Sequence, residues 1–395
     1  MPHSTRILGK THLRYAMVRN RRKGFTLIAT GFCVISLMGM LGLAFDLGRV
    51  YITKNETQSF TDTAALAAAL KLNGISFDAP RLAVTSNTNN QWNMGTAIYT
   101  NSGNTTITTE FARPLAANKL RPDPATWEVN PATAAGYTFV RVTSTAALPL
   151  YILPVVGTGS ASKVKTVSVG GQVPLTTFSS GLFPFSPIQH ATGIAANPPF
   201  GFVVGQWYTL RYPSGTLTNS DLCPGDQGDP TFLALADSQA ASERGFYQEP
   251  SASVANAEII NGEMRFPVTF PGTIQMLGGA MTTSADAIDL RVSYDTDSTS
   301  TTYDQYQANI AGGRRVGNGM RLIGTPVNAA PIPGGGPRDI VGFAGFFLSQ
   351  SSTSASYPHS GGKAWCAQYY GPWVKNGQSG GAGDPGSAYV TVLVQ

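Results

Sequence analysis

Charge is scarce in this chain. Asp, Glu, Lys and Arg make up 12% of its 395 residues, about half the ~25% usual in soluble proteins. The net charge of +5 is also unevenly placed, because residues 1–23 hold seven of the 27 Lys and Arg and no acid. Beyond them, 20 bases face 22 acids, so no folded region carries the basic stripe that a nucleic-acid partner requires. Histidine is limited to four residues, and only His190 and His359 lie beyond the first dozen positions. That is too few for a metal centre built on imidazole. The zinc-protease spacing His-Glu-x-x-His and the dithiol spacing Cys-x-x-Cys are absent, and both are needed for the chemistries they serve. "LGKTH" around Lys10 lacks the upstream glycine of a phosphate loop, since Ser4 occupies that place. No repeat of fixed period is visible. These absences predict a protein that is not an enzyme, with no cofactor, no small-molecule substrate and no nucleic-acid partner.

What the chain does have begins at Gly24. From there to Phe45 it runs for 22 residues without a charge, "GFTLIATGFCVISLMGMLGLAF". As a helix this run would span ~33 Å, enough for the ~30 Å hydrocarbon layer. Three readings compete. A cleaved secretory signal has a shorter apolar region and a small-x-small cleavage site, whereas this run ends in Phe45 and Asp46. A buried core helix would leave the preceding cations unexplained. A retained transmembrane helix accounts for both length and flanks. Lys and Arg beside a span stay cytoplasmic, which predicts a basic cytoplasmic tail (1–23), a transmembrane helix (24–45) and export of residues 46–395 to the periplasm or cell surface. Asp46 and Arg49 lie three apart on one helical face, where they can pair or each meet headgroups and water. Tyr51 sits where interfacial aromatics gather. Cys33, inside the run, reads as a small apolar filler.

No proline interrupts the sequence between Pro2 and Pro80, and an alanine block closes at Asn73-Gly74, a helix stop. The pattern predicts helix from about Thr26 to Leu72, half in lipid and half an exported stalk (46–74), the geometry of a pilin-like subunit. Gly (44) and Pro (26) are plentiful, so short strands and turns should dominate the remainder. Residues 75–135 read as short strands with Asn/Gly turns, and "YTFVRVTSTAAL" and "KVKTVSVGG" as β-branched strands. A boundary is expected near 172–182, dividing a β-rich unit (75–178) from a β-dominated domain (179–395). Strand candidates there are "GFVVGQWYTLRY", "EMRFPVTF", "AIDLRVSY", "DIVGFAGFFLS" and "AYVTVLVQ". The fold class is α+β. Cys223 and Cys366, both on the exported side, are expected to form a disulfide, with two buried thiols as the alternative.

Two stretches resemble a known family. "GLAFDLGRVYITKNETQSFTDTAALAAAL" is similar to the N-terminal module of TadE/TadG-like proteins of the Tad (Flp) pilus-assembly system, through Asp46, Gly48, Arg49, Tyr51, Gln58, Asp62 and the alanines from Ala64 to Ala69. "YTFVRVTSTAALPLYILPVVGTGSASKVKTVSVGGQ" resembles the strand, proline turn and strand that close that family's small pilin-like unit. The resemblance implies a membrane-anchored minor pseudopilin or assembly factor whose partners are the bilayer, other pilin-like subunits and secretion machinery. A surface adhesin tethered by the same helix is the alternative. "KGFTLIA" is also similar to the type IV prepilin processing site, cut between Gly24 and Phe25, although Ala29 replaces the glutamate usual at the fifth mature position.

The remaining polar cluster is "YDTDSTSTTYDQY". Asp295, Asp297 and Asp304 are weak candidates for a Ca²⁺ or Mg²⁺ site, against a solvated Asp/Ser/Thr turn. Some TadG-like proteins carry a von Willebrand A domain with an Asp-x-Ser-x-Ser metal motif, and this spacing does not match it. Asp226 and Asp229 in "CPGDQGD" are weaker still. The aromatic runs "GQWYTLRY" and "WCAQYYGPW" read as sheet core, or else as binding platforms.

Overall fold

With no proline between Pro2 and Pro80, nothing stops one long helix. In the computed structural model α1 (Thr11–Leu70) runs unbroken for 60 residues. It starts earlier than the expected Thr26, because residues 11–23 contain neither Gly nor Pro and are rich in good helix formers. Past its end, the Asn73 carboxamide accepts from the amides of Ile75 and Ser76, and Gly74 takes a left-handed φ of 70°, which glycine adopts freely. The structure describes residues 11–87, 105–152, 154, 161–190, 199–240, 244–247, 251–279, 283–297, 299–311, 317–329, 336–349, 363–376, 380–384 and 387–394.

After α1 come α2 (Asp78–Asn87), β1 (Thr105–Ala112), β2 (Pro114–Leu115), β3 (Asn118–Pro122), β4 (Phe139–Pro149), β5 (Ala161–Leu175), β6 (Thr177–Ser180) and β7 (Trp207–Arg211). Then follow α3 (Pro230–Ala240), α4 (Ala252–Asn261), β8 (Glu263–Thr269), β9 (Thr273–Gln275), α5 (Ser284–Ser293) and α6 (Tyr303–Ala311). The last elements are β10 (Leu322–Asn328), β11 (Pro337–Phe347), β12 (Trp365–Gly371), β13 (Trp373–Val374) and β14 (Ala388–Val394). The class is mixed helix and strand: a long apolar N-terminal helix precedes a β-rich region with several sheets.

One sheet has the order β1-β4-β5-β14-β13, and another the order β10-β11-β12-β7 with β9 added to β11. Pairs β2-β3 and β6-β8 stand apart. β14 runs antiparallel to β5, from Ala388 opposite Leu175 to Val394 opposite Val169, so residues 388–394 share a sheet with β4 and β5.

The chain divides into two compact units, Met1–Ser59, Gln91–Thr106 and Ser144–Thr166 in the first, and Phe60–Asn90, Ile107–Thr143 and Val167–Gln395 in the second. In the first unit, α1 between Gly24 and Phe45 is buried only at Gly42. Beyond that, Asp46, Thr53 and Thr57 are buried at helical spacing, and Ser144, Ala146 and Leu148 on β4 and Val164 and Thr166 on β5 are buried in the alternation of a strand.

In the second unit, Phe60, Thr61, Ala64, Ala65, Ala68 and Ala69 form the buried face of α1. Small side chains let a strand approach the helix backbone, and at Gly170 of β5 a Cβ would overlap the Ala65 carbonyl oxygen. The Gln172 side chain donates to the carbonyls of Ala69 (2.9 Å) and Leu72 (2.7 Å) and accepts from the Ala382 amide (3.0 Å). It thereby adds side-chain donors to carbonyls at the end of the helix.

The β10-β11-β12-β7 sheet is covered on both faces. Ile323, Ala344, Phe346, Trp365 and Tyr369 pack with Ile259 of α4 and Ile288 of α5. Phe343, Phe347, Tyr370 and Trp373 pack with Tyr303 and Tyr306 of α6. Double coverage explains why "DIVGFAGFF" reads as a continuous apolar run. Two strand expectations are corrected. Residues 78–87, within the stretch expected to hold short strands, are helix α2. "AIDLRVSY" is the body of α5, whose buried residues Ser284, Ala285, Ala287, Ile288 and Val292 follow helical spacing.

Candidate functional site at the end of the apolar run

Where the uncharged run of α1 stops, the first two charged residues that follow it reach across to the turn after β4. The Asp46 carboxylate is fully buried and accepts from two consecutive backbone amides, Tyr151 N at 3.1 Å and Ile152 N at 2.9 Å. Arg49 Nη1 donates to the Pro149 carbonyl at 3.1 Å, and its guanidinium stacks 4.2 Å from the centre of the Tyr151 ring. One turn of helix earlier, the Ile152 side chain covers Gly42, where a Cβ would lie 2.6 Å from Ile152 Cγ2. Charge-assisted bonds to backbone N–H are roughly twice as strong as neutral ones, so the motif operates as a clasp between helix and turn. The expectation that Asp46 and Arg49 either pair or meet headgroups and water is thereby revised: both side chains bind the turn.

Other residues of the motif have separate places. Gly48 has open space around it, and Tyr51 is exposed. Gln58 is half-buried on α1. Asp62 accepts from Ser168 Oγ at 2.5 Å, and the same hydroxyl lies 2.8 Å from Thr61 Oγ1. Thr57 donates to the Thr53 carbonyl at 2.6 Å and its own carbonyl accepts from Thr166. Ser, Thr and Gln side chains on β5 therefore bind the backbone and hydroxyls of α1 at successive turns, and sequence reading missed this row entirely. Gly24 and Phe25 lie mid-helix and exposed, as does Cys33.

The Asp295 and Asp297 carboxylates are a different matter from the solvated turn expected of them. Both are buried, and they follow α5 rather than a strand. Asp297 accepts from the amide (2.8 Å) and hydroxyl (2.9 Å) of Thr299 and the amide of Ser300 (3.1 Å), besides the Ser300 hydroxyl. Burial pushes its pKa up, but these donors outweigh burial and hold it below the usual carboxylate value. Asp295 accepts from the Asp297 amide, the Tyr306 hydroxyl and the Arg321 amide. The buried Arg321 guanidinium donates to the carbonyls of Leu348, Asp297 and Ser300 and stacks on Phe347 at 4.3 Å. Oxygens saturated by donors of the protein itself serve to fix a turn. Asp304 stands apart, exposed in the first turn of α6, and among the described residues no acid, His or Cys cluster has metal-binding geometry.

Asp226 binds the Thr209 amide at 2.6 Å and His190 Nε2 at 2.7 Å, while the imidazole stacks on Phe232 at 3.7 Å. This pair was not anticipated as a unit. Asp229 caps the start of α3 through the amides of Thr231 and Phe232. Cys223 and Cys366 are bonded, with Cα atoms 5.8 Å apart, and Trp207 packs against them. Trp207, Tyr208, Trp365, Tyr369, Tyr370 and Trp373 are all buried, so the aromatic runs are core and offer no platform. A Gly-x-Ser-x-Gly spacing does occur at 377–381. It falls in the sequence between strands β13 and β14. Its Ser379 falls outside the described residues, as do Lys10, Ser298 and His359.

One helix among the described residues is long and apolar enough to cross a membrane, α1 from Gly24 onward. No curated protein and no solved structure matches the chain. Residues 24–71, which take in the whole of the uncharged run, the clasp residues on α1 and the alanine block, match the family model described as "Putative Flp pilus-assembly TadE/G-like".

Proposed function

We propose that this chain is a non-enzymatic, single-pass envelope protein that acts in Flp pilus assembly as a minor pseudopilin or assembly factor. Its basic segment stays in the cytoplasm and the residues from Asp46 onward are exported. One observation carries the reading: the family match falls on a helix whose two halves have opposite fates. Between Gly24 and Phe45 only Gly42 is buried, where a core helix would be covered, while the half from Asp46 to Ala69 buries a small-residue face against strands. The uncovered half is free to lie in lipid and to pack against helices of other pilin-like subunits.

Within that half Gly39 has nothing within 4 Å, and close helix–helix approach in membranes favours such positions. Gly42 is already taken by Ile152. Exchanging residues 24–41 for an unrelated apolar helix leaves the clasp intact and tests the assembly role directly. Loss of pilus output with normal levels of the chimera is expected. Unchanged output would reduce the helix to a tether and remove the proposal. Mass spectrometry of the mature amino terminus decides whether processing exposes Phe25.

A further inference from the structure

The turn after β4 meets α1 inside the uncharged run, not beyond it. Ile152 covers Gly42, three residues before Phe45, hence ~4–5 Å short of the end of the run at the helical rise. At this level Leu41, Leu43 and Phe45 are exposed, as expected of a surface that faces lipid. The turn itself carries no charge, its residues being Leu150, Tyr151 and Ile152, and Tyr151 is 62% exposed.

Irregular backbone is costly in hydrocarbon because its N–H and C=O groups lack water. Here three of those groups have side-chain partners from α1. Asp46 takes the amides of Tyr151 and Ile152, and Arg49 takes the carbonyl of Pro149. We infer that the Leu150–Ile152 turn is a second membrane contact, a wedge that enters the exported-side leaflet beside α1, with its occupant the boundary between acyl chains and headgroups. The Tyr151 ring lies at the level where interfacial aromatics concentrate. Two contacts, helix and wedge, fix the rotation of α1 about its axis, which a lone helix leaves free. The inference rests on the reading of residues 24–45 as a span.

The test uses the full-length chain in lipid nanodiscs, with Cys33→Ser so that the bonded Cys223 and Cys366 leave no free thiol. Nitroxide labels are placed singly at Tyr151→Cys, at Ile35→Cys in mid-run, and at Leu120→Cys on β3. Collision rates with oxygen and with a neutral nickel chelate are then compared. The labels at 151 and 35 should meet oxygen several-fold more, relative to nickel, than the label at 120. A label at 151 that behaves like that at 120, while 35 remains oxygen-rich, overturns the wedge and leaves the anchor standing. If 35 also behaves like 120, the span fails and the wedge with it. Because Tyr151→Cys removes the ring under Arg49, the unmodified turn is tested as well, with a diazirine carried on a phospholipid acyl chain. Adducts on Tyr151 or Ile152 are expected, and adducts confined to α1 overturn the wedge.

Discussion

Truncating Asp46 should release the turn after β4 without unfolding anything else. The carboxylate is fully buried and makes two charge-assisted bonds, at 3.1 and 2.9 Å, to the amides of Tyr151 and Ile152. Bonds to a charged partner contribute about 1.5–3 kcal/mol each, so Asp46→Ala should cost the turn about 3 kcal/mol or more. At 1.4 kcal/mol per factor of ten, protection of these two amides against hydrogen exchange should fall about 100-fold. Asp46→Asn keeps one acceptor oxygen and turns an NH₂ group toward the second amide, so a loss of about tenfold is expected. Exchange measured by mass spectrometry in nanodiscs, with fragmentation that resolves residues 151 and 152, reads both values. The order alanine, asparagine, wild type is as diagnostic as the magnitudes. Unchanged protection in Asp46→Ala would refute the clasp. A loss that extends equally to β7 and β12 would show that Asp46 holds up the whole fold, which also refutes a local role.

Three further outcomes follow from the packing. Gly170→Val puts a side chain into the Ala65 carbonyl and onto Ala69 and should cost about 2–3 kcal/mol, seen as a lowered thermal midpoint, whereas Gly48→Ala, with open space around it, should be neutral or slightly stabilising. The double variant Cys223→Ala/Cys366→Ala opens a loop with a sequence separation of 143; the chain-entropy relation gives a loss of about 5 kcal/mol, read from the denaturant midpoint. Asp297 is held below its ordinary pKa, so its contribution is full above the unfolded-state value of about 3.9 and is lost as pH falls through the lower folded-state value; Asp297→Asn should flatten that acid limb of the stability curve without changing the limb above pH 5.

Local features were legible in the sequence, and distant pairings were not. The uncharged run and the strands β4, β5, β11 and β14 declare themselves through length and β-branched content, because each signal is contained within one element. "AIDLRVSY" misled because Ile288, Leu290 and Val292 alternate with a period of two, while the residues that complete the helical face, Ser284, Ala285 and Ala287, are too small to register as hydrophobic. Asp295 and Asp297 looked solvated because Arg321, more than twenty positions later, gives no local sign that it will bury its guanidinium among the carbonyls of that turn.

Asp46 shows the limit most clearly. By spacing, its nearest opposite charge is Arg49, and an i,i+3 pair is the economical reading of two ions on one helical face. Its two amide partners lie 105 and 106 residues away. The reason the turn is preferred is physical rather than positional. At the edge of an apolar layer, a carboxylate is stabilised best by fixed N–H donors that need partners themselves, and an uncapped turn offers two adjacent ones. Gly42 then permits the approach, since any side chain there would displace Ile152. A charged residue that closes an apolar run therefore need not face water, because here it is buried and binds the backbone of the turn after β4.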